Sequence, residues 1–217
     1  DGIRDLVRSR GLGDVYKRQY WHMVSKLLLA TQETFFRAVA RGEAQDIISA
    51  LAERYYDIRR GLGFNKTPDV YGAFPADPYS HTPAGQGAKQ PGMTGLVKEE
   101  ILTRMGELGI MVANGQLSFD PVLLRESEFL PEATAFAYVD VHGESHSIPL
   151  PSGSLAYTFC QVPVLYVASC EEKIDVYGAD GQVWQVAGLM LDEETSQHIF
   201  RRDGIIKQLT VYIVGCL

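Results

Sequence analysis

The sequence predicts an α+β fold by segregated segments, helical hairpins first and an antiparallel β-sandwich after. Three observations predict it. Apolar residues recur at three- and four-residue spacing in the first half, the period of helices with one buried face. From Leu108 onward the apolar pattern alternates in short runs, and turn residues arrive about every ten positions, as in a sandwich. Between the second and third helices, 64–91 holds five of the chain's ten prolines and almost no periodicity.

Taken in order, Asp1–Gln19 reads as foreign. It carries five basic and three acidic residues, against the acidic balance of the rest. Its end, Asp14-Val15-Tyr16-Lys17-Arg18-Gln19, resembles the in-frame translation of a sequencing adapter, so 1–19 is set aside from fold reasoning. The natural protein would then continue upstream. Tyr20 to about Arg41 is a helix, with Val24, Leu27, Leu28, Phe35, Phe36 and Val39 as its apolar positions and Gly42 as its stop. Glu43 to Arg60 is a second, with Ile47, Ile48, Leu51, Ala52, Tyr55 and Ile58 on one face and Gly61 and Gly63 beyond it. So short a break between helices predicts an antiparallel hairpin. The 64–91 loop carries Phe64, Tyr71, Phe74 and Tyr79, and it reads as ordered and packed. Gly92 to about Gly106 is a third helix, with Pro91 suited to its first turn and Thr94 able to cap it.

The β half follows. Asn114-Gly115 between apolar runs is a type I′ hairpin signature, because both residues tolerate positive φ. Strands are expected over 133–141, 145–150, 155–161, 162–168, 173–177, 182–187 and 205–214, with a short helix at 192–201. The organisation is therefore 1–19 non-native, 20–107 helical with the loop at 64–91, and 108–217 β.

Composition excludes several classes. The chain has 217 residues, 46% of them hydrophobic, too apolar for a disordered tail. No apolar run approaches the roughly 18 residues that span a bilayer. Twenty basic against 27 acidic residues give −7 without a basic stripe, which argues against nucleic-acid and anionic-membrane partners. Gly-rich phosphate loops and Gly-x-Ser-x-Gly elbows are absent, so no cofactor is implied. Cys160, Cys170 and Cys216 form no Cys-x-x-Cys and read as buried free thiols. That favours a reducing compartment, while a Cys160–Cys170 pair would suit an exported protein. The compartment stays open between cytoplasm and periplasm. His142 and His146 invite a metal reading, but two His four apart share a face only on a helix, and Gly143 marks a hairpin. No metal is expected there.

One stretch is familiar. A helix ending in Glu107-Leu108-Gly109-Ile110, a turn at Asn114-Gly115, and Leu117-Ser118-Phe119-Asp120-Pro121-Val122-Leu123-Leu124 resemble the seam between the (α/α)6 barrel and the β-sandwich of six-hairpin glycosidases. That group includes cellobiose- and maltose-phosphorylase-like enzymes. The match covers roughly 90–125. It departs at Met111-Val112 and at Arg125, where the family often has proline. The resemblance implies the last helices of a barrel plus its sandwich, acting on an oligo- or polysaccharide by hydrolysis or phosphorolysis, with phosphate as a possible co-substrate. It also implies that the upstream barrel of the same chain is a partner, and that this piece alone is inactive.

Glycoside cleavage uses two flanking carboxyl groups. The candidates are Asp77, Glu99 and Glu100, with Asp77 and Glu99 as the leading pair. Asp77 lies in proline-stiffened aromatic surroundings and would be base or substrate ligand. The plainer reading is a turn residue before Pro78, with His81 capping the loop. The two glutamates are also favoured near a helix start by the dipole alone. Tyr71, Phe74 and Tyr79 could stack on sugar rings, and His81 could contact a hydroxyl or phosphate. Gln90 to Gly95 occupies the place where such phosphorylases carry a Thr-Gly segment near phosphate, which adds Gln90 and Thr94 to the substrate contacts. Two alternatives stand beside this reading. One is a non-catalytic β-sandwich that binds carbohydrate or props a partner. The other is a polysaccharide lyase using Tyr79 and His81.

Overall fold

The computed structural model describes residues 12–62 and 94–215, with side chains over 23–62 and 99–215. The chain divides into two compact units, Asp1–Arg104 and Met105–Leu217. Helical and β segments are segregated along the chain, as the periodicities predict.

The first unit holds α1 (Leu12–Arg41), α2 (Gln45–Gly61) and most of α3 (Thr94–Glu107). Helix α1 begins eight residues before the expected Tyr20, because Val15 to Gln19 contains no breaker and an existing helix propagates at little cost. It ends where predicted, at Gly42 with φ +65°. Its buried face is Ser25, Leu28, Gln32, Phe35 and Ala38. Leu27, expected inside, is 54% exposed. The stripe is rotated because two polar residues occupy it. On α2 the inward residues are Ala52, Tyr55, Tyr56 and Arg59, while Ile47 is exposed. The Gln32 amide on α1 donates to the Tyr55 hydroxyl on α2 at 3.3 Å, which ties the hairpin together.

Among its described residues the second unit holds the end of α3, nine strands and one further α-helix. Strands β1 (Ile110–Ala113) and β2 (Gln116–Phe119) form the Asn114-Gly115 hairpin, with φ of +52° and +79° at the turn. Strands β3 (Thr134–Val139) and β4 (Ser145–Leu150) form a separate antiparallel ribbon. The remaining five are β5 (Ser154–Phe159), β6 (Val162–Ala168), β7 (Lys173–Gly178), β8 (Val183–Ala187) and β9 (Ile206–Ile213). They form one sheet in the order β5-β6-β9-β7-β8. The wholly antiparallel arrangement expected from the sequence is corrected at one pair, since β6 and β9 run parallel. Crossing from β6 to β9 takes β7, β8 and α4 (Glu193–Arg201), long enough to return the chain in the same direction.

The core of this unit gathers Leu117, Phe119, Leu124, Val164, Tyr166, Ile174, Val176, Leu191, Ile199, Leu209 and Val211. At its edge lies the Leu-Gly-Ile motif. The Asp120 amide donates to the Gly109 carbonyl at 2.8 Å, and the Asp120–Pro121 backbone lies where a Gly109 side chain would begin. With φ +67° as well, this position requires glycine. The Tyr166 hydroxyl closes the seam by donating to the Leu108 carbonyl. The Leu117 amide donates to Ser196 Oγ at 2.9 Å, which fixes α4 beneath β2. Cys170 is exposed and Cys160 half-buried, and both are free thiols; neither is fully buried as expected, because both sit in turns rather than strands. Cys216 lies outside the described residues.

Candidate functional site

Helix α3 carries a polar stripe on its inward side. Glu99 and Thr103 stand four residues apart, hence on one face, and both are buried. Ile101 and Leu102, between them in sequence, are 55% and 41% exposed. An ordinary surface helix has the opposite arrangement, so the inward polar groups need partners. Thr103 finds them locally, its Oγ1 donating to the Glu99 and Glu100 carbonyls at 3.0 and 3.1 Å. Its own carbonyl accepts from the Gln32 amide at 2.7 Å. Gln32 thus joins all three helices, contacting Thr103 on α3 and Tyr55 on α2.

Glu99 is 9% exposed. Its Oε1 lies 3.7 Å from Lys26 Nζ, whose side chain is mostly in solvent. Its Oε2 is buried with no hydrogen-bond partner among the described residues, as is Ser25 Oγ on α1. An unpartnered buried carboxylate oxygen costs several kcal/mol in general. Such a group calls for an explanation, whether a bound water or ion, a catalytic role or stored strain. Burial also pushes the neighbouring Glu100 carboxyl up to about 7, so at neutral pH it holds its proton about half the time. Adjacent helical residues point about 100° apart, so Glu99 and Glu100 do not flank one bond together. Chemically, Glu99 offers acceptor lone pairs to a hydroxyl or water. Glu100 offers a transferable proton near pH 7.

Of the residues singled out from the sequence, Glu99 and Glu100 are placed here. Thr94 is the first residue of α3, and its side chain lies outside the described residues. Tyr71, Phe74, Asp77, Tyr79, His81 and Gln90 also lie outside them. Lys26, Gln32, Tyr55 and Thr103 were not anticipated as site neighbours. The signal for Gln32 was present, since it interrupts the Leu28–Phe35 stripe at a position where the helical period calls for an apolar residue.

The chain matches no known protein-family profile and no curated protein.

Proposed function

We propose that the chain is the C-terminal part of a carbohydrate-active enzyme that cleaves glycosidic bonds by hydrolysis or phosphorolysis. The observation that carries this reading is the buried Glu99 carboxylate, one oxygen of which has no partner among the described residues, set in a polar stripe of a helix whose Ile101 and Leu102 face outward. In this reading Glu99 orients water, phosphate or a sugar hydroxyl, and Glu100 is the proton reservoir beside it. The carboxyl group across the bond is Asp77, with Tyr71, Phe74, Tyr79, His81, Gln90 and Thr94 as substrate contacts. Met23, Leu27, Ile101 and Leu102 are exposed apolar residues on α1 and α3. Further hairpins of an (α/α)6 barrel would cover them, and the β unit would be the closing sandwich.

The test is to sequence the source DNA across the Gln19–Tyr20 junction. An upstream frame encoding further amphipathic helical hairpins supports the reading, and Glu99→Gln in that longer enzyme should then abolish glycoside cleavage. A frame that opens near Met23 overturns it.

A second reading places sugar contact on the β unit without catalysis. It draws on Phe136 and Tyr138, half-buried rings 6.1 Å apart and nearly parallel on one face of β3. Soluble oligosaccharides that broaden NMR signals of these two rings, and not those of the helical unit, would favour it.

A further inference from the structure

The turn joining β3 to β4 and the second residue of β4 bring three metal-ligating side chains together. We propose that Asp140, Glu144 and His146 form a binding site for a divalent transition-metal ion, with Zn2+ the ion that fits best. The site lies in the β unit and does not depend on the glycoside-cleaving reading.

Asp140 is the anchor. It is 7% exposed, and its Oδ1 accepts from the backbone N–H groups of His142 and Glu144 at 2.9 and 3.0 Å. Those two bonds fix the carboxylate plane and leave Oδ2 as its outward oxygen. The Gln161 amide holds the Asp140 carbonyl at 3.0 Å from the β5–β6 turn, so the backbone is pinned as well. Strand register brings in the imidazole. Tyr138 pairs with His146, and Asp140 follows Tyr138 by two residues on the same face. His146 Nε2 lies 3.0 Å from Asp140 Oδ2, and the Tyr138 ring packs 5.4 Å from the imidazole. Glu144 completes the set, with one ligand atom from each residue within 4.8 Å of the others.

The dimensions reach those of zinc once the exposed Glu144 side chain closes in by up to about 1.5 Å. Ligands bound tetrahedrally at about 2.0–2.1 Å stand about 3.3 Å apart, and the Asp140–His146 edge needs only to open slightly from 3.0 Å. Two carboxylates and one imidazole leave a fourth position for water. A cavity of about 200 Å3, lined by Tyr138, Asp140, His146, Gln161 and Lys207, has room for it. A divalent charge offsets the two carboxylates, and a mixed oxygen–nitrogen set favours Zn2+ over Ca2+ or Mg2+. One group opposes the ion: Lys207 lines the cavity, but it is exposed and its ammonium can turn to solvent. The competing interpretation is that Asp140 only fastens a hairpin turn and pairs with His146.

Titration of the intact, chelator-treated protein with ZnCl2 by calorimetry at pH 7.5 separates the two. A single site is expected, weakened roughly 100-fold or more by His146→Ala and at least about tenfold by Glu144→Gln. Both side chains are exposed, so neither change should disturb the fold, and far-UV circular dichroism of the two variants checks this. His198→Ala, which removes the separate His198–Asp203 pair, should leave Zn2+ affinity unchanged. Co2+ in place of Zn2+ should give visible absorption that His146→Ala removes. Absence of binding up to millimolar Zn2+ overturns the proposal. So does binding that His146→Ala and Glu144→Gln leave intact.

Discussion

Gly109→Ala tests the seam between α3 and the first hairpin. Two separate penalties apply. An alanine at φ +67° costs about 1–2 kcal/mol for the left-handed backbone alone. Its Cβ would also overlap the Asp120 carbonyl and the Pro121 nitrogen, which are backbone atoms that cannot rotate aside. Moving them disturbs the Asp120–Gly109 hydrogen bond and the packing of Phe119, at a further cost of about 1–3 kcal/mol. The total is about 2–5 kcal/mol. Gly143→Ala is the control. Its φ is +82°, but nothing lies within 4 Å of the added carbon, so only the conformational cost of about 1–2 kcal/mol applies. Urea unfolding followed by near-ultraviolet circular dichroism reads the Phe119–Tyr166 pair, whose rings sit 6.0 Å apart edge to face. The midpoint of the Gly109 variant should fall well below that of the Gly143 variant, with similar slopes. Equal losses for the two would refute the claim that backbone crowding, and not φ, demands glycine at the seam.

Glu100→Gln should flatten a pH dependence. The folded carboxyl keeps its proton to about pH 7, whereas the unfolded one loses it near 4.5. The folded state therefore binds more protons between those values, and stability falls as pH rises through that window. The full span is worth roughly 3 kcal/mol, and partial solvation reduces the expected gain of the variant at pH 8 to about 1–2 kcal/mol; urea titrations at pH 4.5 and 8 followed at 222 nm measure it. Glu99→Met should raise stability by about 1–2 kcal/mol, because a carboxylate kept for binding is a liability to the fold; a loss in thermal melts would instead mark Glu99 as a structural ion-pair partner. Asp192→Ala should cost about 1 kcal/mol in the same melts, since Asp192 Oδ1 caps α4 by accepting from the Thr195 amide at 2.7 Å.

Much of the β unit was legible because its cues are local. Asn114-Gly115 fixed a turn type, and the alternating apolar runs located β3 to β9 to within about two residues. The parallel β6–β9 pair was not legible, since alternation reports which face a residue takes and says nothing about its neighbour strand. The helices were legible as elements but less so as faces. Leu27 and Ile47 were expected inside, and both are exposed, because Ser25 and Gln32 on α1 and Arg59 on α2 take buried positions that hydropathy assigns to apolar side chains. The same reversal on α3 marks the candidate site, so the departure from the apolar pattern carried the information. Glu99 was accessible to sequence reasoning through its acidic neighbour and its place early in α3. Lys26 and Gln32 were not, because their relation to Glu99 and Thr103 exists only once α1 and α3 pack.

The strand order β5-β6-β9-β7-β8 has a consequence for how the unit comes together. Its central strand, β9, follows all four of the other strands in the chain. Until Ile206–Ile213 arrives, β5–β6 and β7–β8 are two separate hairpins with no shared ladder, and isolated hairpins are marginal in water. Assembly is therefore non-local and late, with loop closure required before any central pairing rewards it. The last strand acts as a keystone, and loss of β9 should leave the hairpins unable to hold a common core.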